Sequence, residues 1–123
     1  MNFNSILIGS EDPQRLVEFY TKVLGEPAFT YEPYTGWQLG SGTITVGPHS
    51  EVHGRNAEPG RLIWNIESTD VRADFARMRD AGATVIAEPY TMDDDPTDSA
   101  IATLADPDGN YFQLASPMDP SAM

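Results

Sequence analysis

At 123 residues the chain is long enough to bury one core and too short for two independent ones. Its 19 acidic and 7 basic residues give a formal net charge of -12, which repels phosphate backbones and anionic lipid surfaces and argues against nucleic acid or membranes as partners. A cationic ligand would be attracted. The absence of cysteine excludes disulfides, thiolate metal sites and Cys nucleophiles. Met1 to Ser5 lacks the basic start of a signal peptide and no stretch is long enough to span a bilayer, so the expectation is a cytoplasmic protein.

Residues 3 to 9 are apolar-rich and stopped by Gly9, which reads as a strand. Asp12-Pro13 then offers an N-cap followed by proline at the first helical position, and Leu16, Phe19, Tyr20 and Val23 recur at helical spacing up to Gly25. From Pro27 the pattern turns to short strands, Ala28 to Tyr31, Trp37 to Leu39 and Thr43 to Val46, separated by Pro33 and several glycines. The stretch from Pro48 to Gly60 has no periodicity and suits a linker or mobile loop. Within it, an extended His49-Ser50-Glu51-Val52-His53 would put two imidazoles and one carboxylate on one face, a weak metal motif whose alternative is a set of solvated loop side chains.

The second half repeats the first. Arg61 to Glu67 reads as a strand, Asp70 caps a helix carrying Val71, Phe75 and Met78, and Gly82 ends it. Strand patterns follow at Thr84 to Ala87, Ala100 to Ala105 and Tyr111 to Ala115. The two caps at positions 12 and 70 lie 58 residues apart, and the terminating glycines at 25 and 82 lie 57 apart, so the chain is a tandem β-α-β-β-β repeat. Module 1 covers about residues 3–49, the linker 50–60, module 2 61–116, and a tail 117–123. The last two strands flank Asp106-Pro107-Asp108-Gly109, the composition of a tight hairpin turn. It is not an EF-hand: counted from Asp106, the sixth position is Tyr111 and the twelfth Pro117, where Gly and Glu are required. The run Asp93-Asp94-Asp95-Pro96-Thr97-Asp98 reads as a solvated connection that could serve as a lid.

The doubled pattern closing on Asp-Pro-Asp-Gly-Asn-Tyr-Phe-Gln-Leu, with Phe19-Tyr20-Thr21-Lys22-Val23-Leu24-Gly25 and Arg79-Asp80-Ala81-Gly82-Ala83-Thr84-Val85, resembles the vicinal oxygen chelate superfamily over residues 3 to 116. That superfamily groups glyoxalase I, extradiol dioxygenases and the fosfomycin and bleomycin resistance proteins. The resemblance implies an α+β fold in which two tandem βαβββ modules form an open eight-stranded barrel-like sheet around a cavity, often shaped by homodimerisation. Metal-dependent members place His or Glu on the inner faces of four strands to chelate a divalent ion. Carried onto this chain, those positions fall on Ser5, Thr45, Ile63 (Leu62 if the register slips by one) and Gln113, a poor set for a divalent cation.

Strand parity extends the inner face to Leu7, Thr43, Asn65, Glu67 and Tyr111, with Ile44, Val46, Trp64, Ile66, Phe112 and Leu114 behind it in the core. Tyr31, Tyr34, Trp37 and Tyr90 fall in the segments that would wall the cavity. Glu67, the inward carboxylate, would act as a general base if burial raised its pKa, or simply sit in water at the strand end. The reading is a metal-independent protein without a cofactor, binding an aromatic or cationic small molecule. Two alternatives stay open: an enzyme of the superfamily (lyase, isomerase or dioxygenase) using a non-standard metal site or Glu67, and a partner-binding domain with a vestigial cavity.

Overall fold

A computed structural model describes residues 1–91 and 99–117. The acidic run from 93 to 98 and most of the C-terminal tail lie outside the described residues. Module 1 consists of β1 (Ser5–Gly9), α1 (Pro13–Leu24), β2 (Phe29–Tyr31), β3 (Tyr34–Leu39) and β4 (Gly42–Gly47). Module 2 consists of β5 (Trp64–Glu67), α2 (Val71–Asp80), β6 (Thr84–Thr91), β7 (Ala100–Ala105) and β8 (Tyr111–Ala115).

The modules form two four-stranded sheets, ordered β1-β4-β3-β2 and β5-β8-β7-β6. In each, the first strand runs parallel to the last, and the remaining neighbours are antiparallel. The tandem repeat is therefore real at the level of topology. No ladder joins β1 to β5 among the described residues, so the eight strands form two four-stranded sheets that do not close into a barrel, in keeping with the open arrangement expected.

Local chemistry accounts for the helices. Asp12 accepts from the Arg15 N–H at 3.4 Å, Pro13 begins the helix, and Gly25 ends it at φ +100° with its N–H donating to the Thr21 carbonyl. Asp70 caps α2 in the same way, accepting from Ala73 N–H at 3.1 Å. Leu16, Phe19, Tyr20 and Val23 of α1 are buried, and so are Val71, Phe75 and Met78 of α2; each contributes about 1.5–3 kcal/mol.

Helix α1 serves both modules. The Tyr20 ring lies 6.0 Å from Trp37 in module 1, and 6.0 Å from Trp64 and 6.2 Å from Phe112 in module 2. Trp64 in turn stacks on Phe112 at 5.4 Å. Arg77 of α2 donates to the Val23 carbonyl at the end of α1, a second tie across the repeat.

Two sequence expectations change. Residues Arg61 to Ile63 do not join a strand: Pro59–Arg61 is a single 3₁₀ turn, and β5 starts at Trp64, because Pro59 and Gly60 break the extended run. The segment from Pro48 to Gly60 is also less free than a linker. Asn56 N–H donates to the Asp108 carbonyl at 2.9 Å, its side-chain amide donates to Asn110 at 3.0 Å, and Arg55 donates to the Pro107 carbonyl at 3.0 Å. This strap is moored to the β7–β8 hairpin.

Candidate functional site

The hairpin turn is a junction as well as a connection. Gly109, at φ +84°, donates its N–H to the Asp106 carbonyl at 2.9 Å, closing the turn that the sequence predicts. Sequence reasoning misses that both aspartates are buried and face the first module. Asp106 accepts from the Tyr20 hydroxyl at 2.7 Å and from the backbone N–H groups of Asp108 and Asn110. The Asn110 side-chain amide also donates to it, at 2.9 Å. Asp108 accepts from the Ser10 hydroxyl at 2.6 Å and pairs with Arg15. Ser10 and Asp108 are 98 positions apart, so no local pattern announces the contact.

Burial pushes the Asp106 carboxyl above the ordinary aspartate range, against the opposing pull of the Tyr20 and Asn110 hydrogen bonds. Burial, followed by the adjacent Asp106 carboxylate, pushes the Tyr20 phenol well up. These contacts hold Ser10, just after β1, and Arg15 and Tyr20 of α1 against the β7–β8 turn.

The inner faces follow the parity expected from sequence. Ser5, Leu7, Thr43 and Thr45 lie partly or fully exposed, while Ile8, Ile44 and Val46 are buried against the helices. In module 2, Asn65 and Glu67 are exposed, Tyr111 and Gln113 half-buried, and Phe112 and Leu114 buried. The register sets Leu7 beside Thr45 and Asn65 beside Gln113, with Gln113 donating to the Thr103 hydroxyl at 3.1 Å. Ile63, half-buried, precedes β5 on the same parity.

The wall of tyrosines and tryptophan is not assembled. Trp37 is only 1% exposed: it packs in the core and donates its indole N–H to the Gly25 carbonyl, because its register partner Ile44 faces the helices. It is not a cavity residue. Tyr34 lies over Gly47, where a Cβ would come within 2.2 Å of the ring, whereas Tyr31 is 80% exposed at the edge strand. Tyr90 is 47% exposed on the far edge of the other sheet.

The two tentative catalytic readings also lose their geometry. Glu67 is exposed at the end of β5, without the burial a general base there would need. Among the described residues no three His, Asp or Glu side chains converge to hold a metal ion. His49 accepts from the Glu51 N–H, and His53 faces Glu11 at 3.4 Å, so the extended arrangement of His49, Glu51 and His53 does not form. Ser5, Leu7, Thr45, Asn65 and Gln113 on the strands, with Ile63 just before β5, present hydroxyl, amide and aliphatic groups, a donor set that does not fit the superfamily's divalent ion.

What the structure does bring together is a cavity of about 440 Å³ between the modules. Its apolar wall comes from Ile6, Leu7, Val52, Leu62 and Trp64; the strap adds Glu51, His53, Arg55 and Asn56, and the hairpin side adds Asp108, Asn110 and Tyr111. Of the residues expected from sequence to bind a ligand, Leu7 and Tyr111 line it. The rest of the lining escapes sequence reasoning because the strap looks like a linker until Asn56 and Arg55 are seen on the hairpin.

Paired βαβββ modules joined through a common core define a protein of the vicinal oxygen chelate class. The chain belongs to the glyoxalase-like domain family, whose sequence profile matches residues 5–115. Among solved structures it is similar to a glyoxalase-related enzyme from Fulvimarina pelagi, at 18% identity and a TM-score of 0.73 over 98% of this chain and 94% of that one. A glyoxalase/bleomycin resistance protein from Albidiferax ferrireducens T118 is similar at 19% identity and a TM-score of 0.74, over 94% and 98% of the two chains. A glyoxalase/bleomycin resistance protein/dioxygenase family enzyme from Burkholderia phytofirmans PsJN gives 22% and 0.70 over 93% and 98%. At these identities the likeness concerns the fold. A comparison with curated protein sequences finds no match. No helix among the described residues is long and apolar enough to cross a membrane.

Proposed function

We propose that this protein binds a small, flat organic molecule without a metal ion. The observation that carries this reading is the 440 Å³ cavity between the modules, which combines an aliphatic and aromatic wall with a few fixed polar groups at one end. That volume lies within the usual range for small-molecule sites, about 300–1,000 Å³. The donor chemistry of the inner strands supports independence from a divalent ion, since neutral hydroxyls and amides compete poorly with water for one.

The same reading includes a homodimer. Phe29, Tyr31 and Tyr90 expose apolar surface on the open inner faces, and a second copy would cover it. Sedimentation at high protein concentration tests this, and a purely monomeric species overturns it.

The binding reading is tested by screening aromatic fragments against intrinsic tryptophan fluorescence. A saturable change is expected in the wild type, unaffected by EDTA and lost in Trp64→Phe, while buried Trp37 supplies a constant background. If no fragment produces a saturable change, or if binding requires added metal, the proposal is wrong.

A further inference from the structure

The hydrogen-bond inventory of the cavity goes further than its shape. Most of its polar side chains are already committed. Asp108 accepts from Ser10 and Arg15. Asn56 donates to Asn110 and accepts from the Glu58 N–H, and the Asn110 amide donates to Asp106. The groups left over are mainly donors.

Trp64 supplies an aromatic face to the cavity wall. Its indole N–H, without a hydrogen-bond partner among the described residues, is sealed from solvent and so lies out of reach of a molecule in the open cavity. The principal free donor is Arg55. One guanidinium N–H is spent on the Pro107 carbonyl, and no carboxylate pairs with Arg55 among the described residues. The side chain lies along the turn in space that Gly109 leaves free, since a Cβ there would come within 3.0 Å of its Nη2. Neighbouring Asn56 is bonded to the hairpin through both backbone and side chain, which holds the strap in place. The cation is therefore positioned before any ligand arrives. Tyr111 adds a phenol to the lining.

We infer that the cavity takes a flat organic anion, an aromatic carboxylate, with its ring against Leu7, Leu62 and Trp64 and its carboxylate oxygens toward Arg55 and the Tyr111 hydroxyl. The inference rests on the binding reading above and narrows the ligand to the opposite sign from the one the net charge of -12 suggests. The two charges act over different ranges. At physiological salt the field of distant surface carboxylates is screened over about 8 Å, whereas a guanidinium at the cavity acts at hydrogen-bond distance. Glu51, on the exposed strap, is the one uncommitted carboxylate in the lining.

Three probes that share a ring and differ in charge test this: 2-naphthoate, 2-naphthamide and 2-naphthylmethylammonium. Each is titrated at physiological salt into the full-length protein, following the indole N–H resonances by ¹H–¹⁵N NMR. The chain has two tryptophans, and Trp37, bonded to Gly25, is the internal control. Expected are a shift of the Trp64 resonance with Trp37 unmoved, and naphthoate binding about tenfold or more tighter than the ammonium. Arg55→Gln should weaken naphthoate about tenfold and leave naphthamide unchanged, while Arg61→Gln, which removes the same charge outside the cavity, should change neither. Arg55 is exposed, so its replacement should not prevent folding. If the ammonium or the amide binds as tightly as the carboxylate while moving Trp64, the anion inference fails and the binding reading stands. If no probe moves Trp64, both fail at this cavity.

Discussion

The two modules share one topology and present different surfaces on equivalent rows. In module 1 the row is Leu7, Thr45, Gly36, in which the one hydroxyl is turned to the Ile6 carbonyl and the Phe29 ring is laid over Gly36, where a Cβ would come within 2.1 Å of it. In module 2 the matching row is Asn65, Gln113, Thr103, an amide-to-hydroxyl line with a 3.1 Å hydrogen bond between its last two members. The helices differ too. Helix α1 packs its aromatic residues onto both sheets, whereas α2 packs mainly on its own sheet and reaches α1 through Arg77. A repeated fold therefore fixes where side chains point, and each copy is free to choose their chemistry. What joins the copies is specific to neither: the α1 aromatics and the buried aspartates of the hairpin.

The largest test of this division is Phe112→Ala. Phe112 is fully buried between Trp64 and α1, and its loss should cost about 3–5 kcal/mol in urea unfolding because it removes the contact surface between modules. A loss under about 1 kcal/mol would mean that the modules do not depend on this shared core.

Next comes Tyr20→Phe, expected to cost about 1.5–3 kcal/mol at neutral pH by removing a buried donor to a carboxylate. The pH dependence has a definite sign. Burial raises the Asp106 carboxyl above its ordinary value of 3.8, so its contribution is fully present below that value and is lost as pH rises through the raised one. Without the tyrosine hydroxyl the pKa rises further. The destabilisation in Tyr20→Phe should therefore be larger at neutral pH than in acid, where both proteins hold Asp106 protonated. Equal losses at both pH values would contradict the assigned role.

The smallest effect belongs to the inner face. Gln113→Leu breaks the bond to Thr103 on a half-buried strand and should cost about 0.5–1.5 kcal/mol. Because that row lies outside the cavity lining, the mutant should retain the naphthoate affinity of the wild type. Loss of that affinity would move the binding site from the inter-module cavity to the inner face.

Much of this was legible beforehand because it depends on short-range physics. Asp12 and Asp70 cap helices by bonding N–H groups three residues on, Gly25 ends one through a positive φ, and alternation along β1, β4 and β8 separates inner from core side chains. Trp37 was misplaced because β3 begins at Tyr34, three residues before the expected start, and only the pairing with β4 shows its register: Trp37 lies opposite Ile44 on the helix side. Local chemistry along the chain sufficed for the doubled module, the two helices with their caps, the hairpin turn and the inner strands without histidine. Tertiary structure alone decided that the 48–60 segment is a strap, that Asp106 and Asp108 are buried across the repeat, and that Arg55 and Trp64 meet at one cavity. Those outcomes depend on contacts between residues tens of positions apart, whose partners are chosen by packing and hydrogen-bond satisfaction in the folded chain and leave no periodic trace along it.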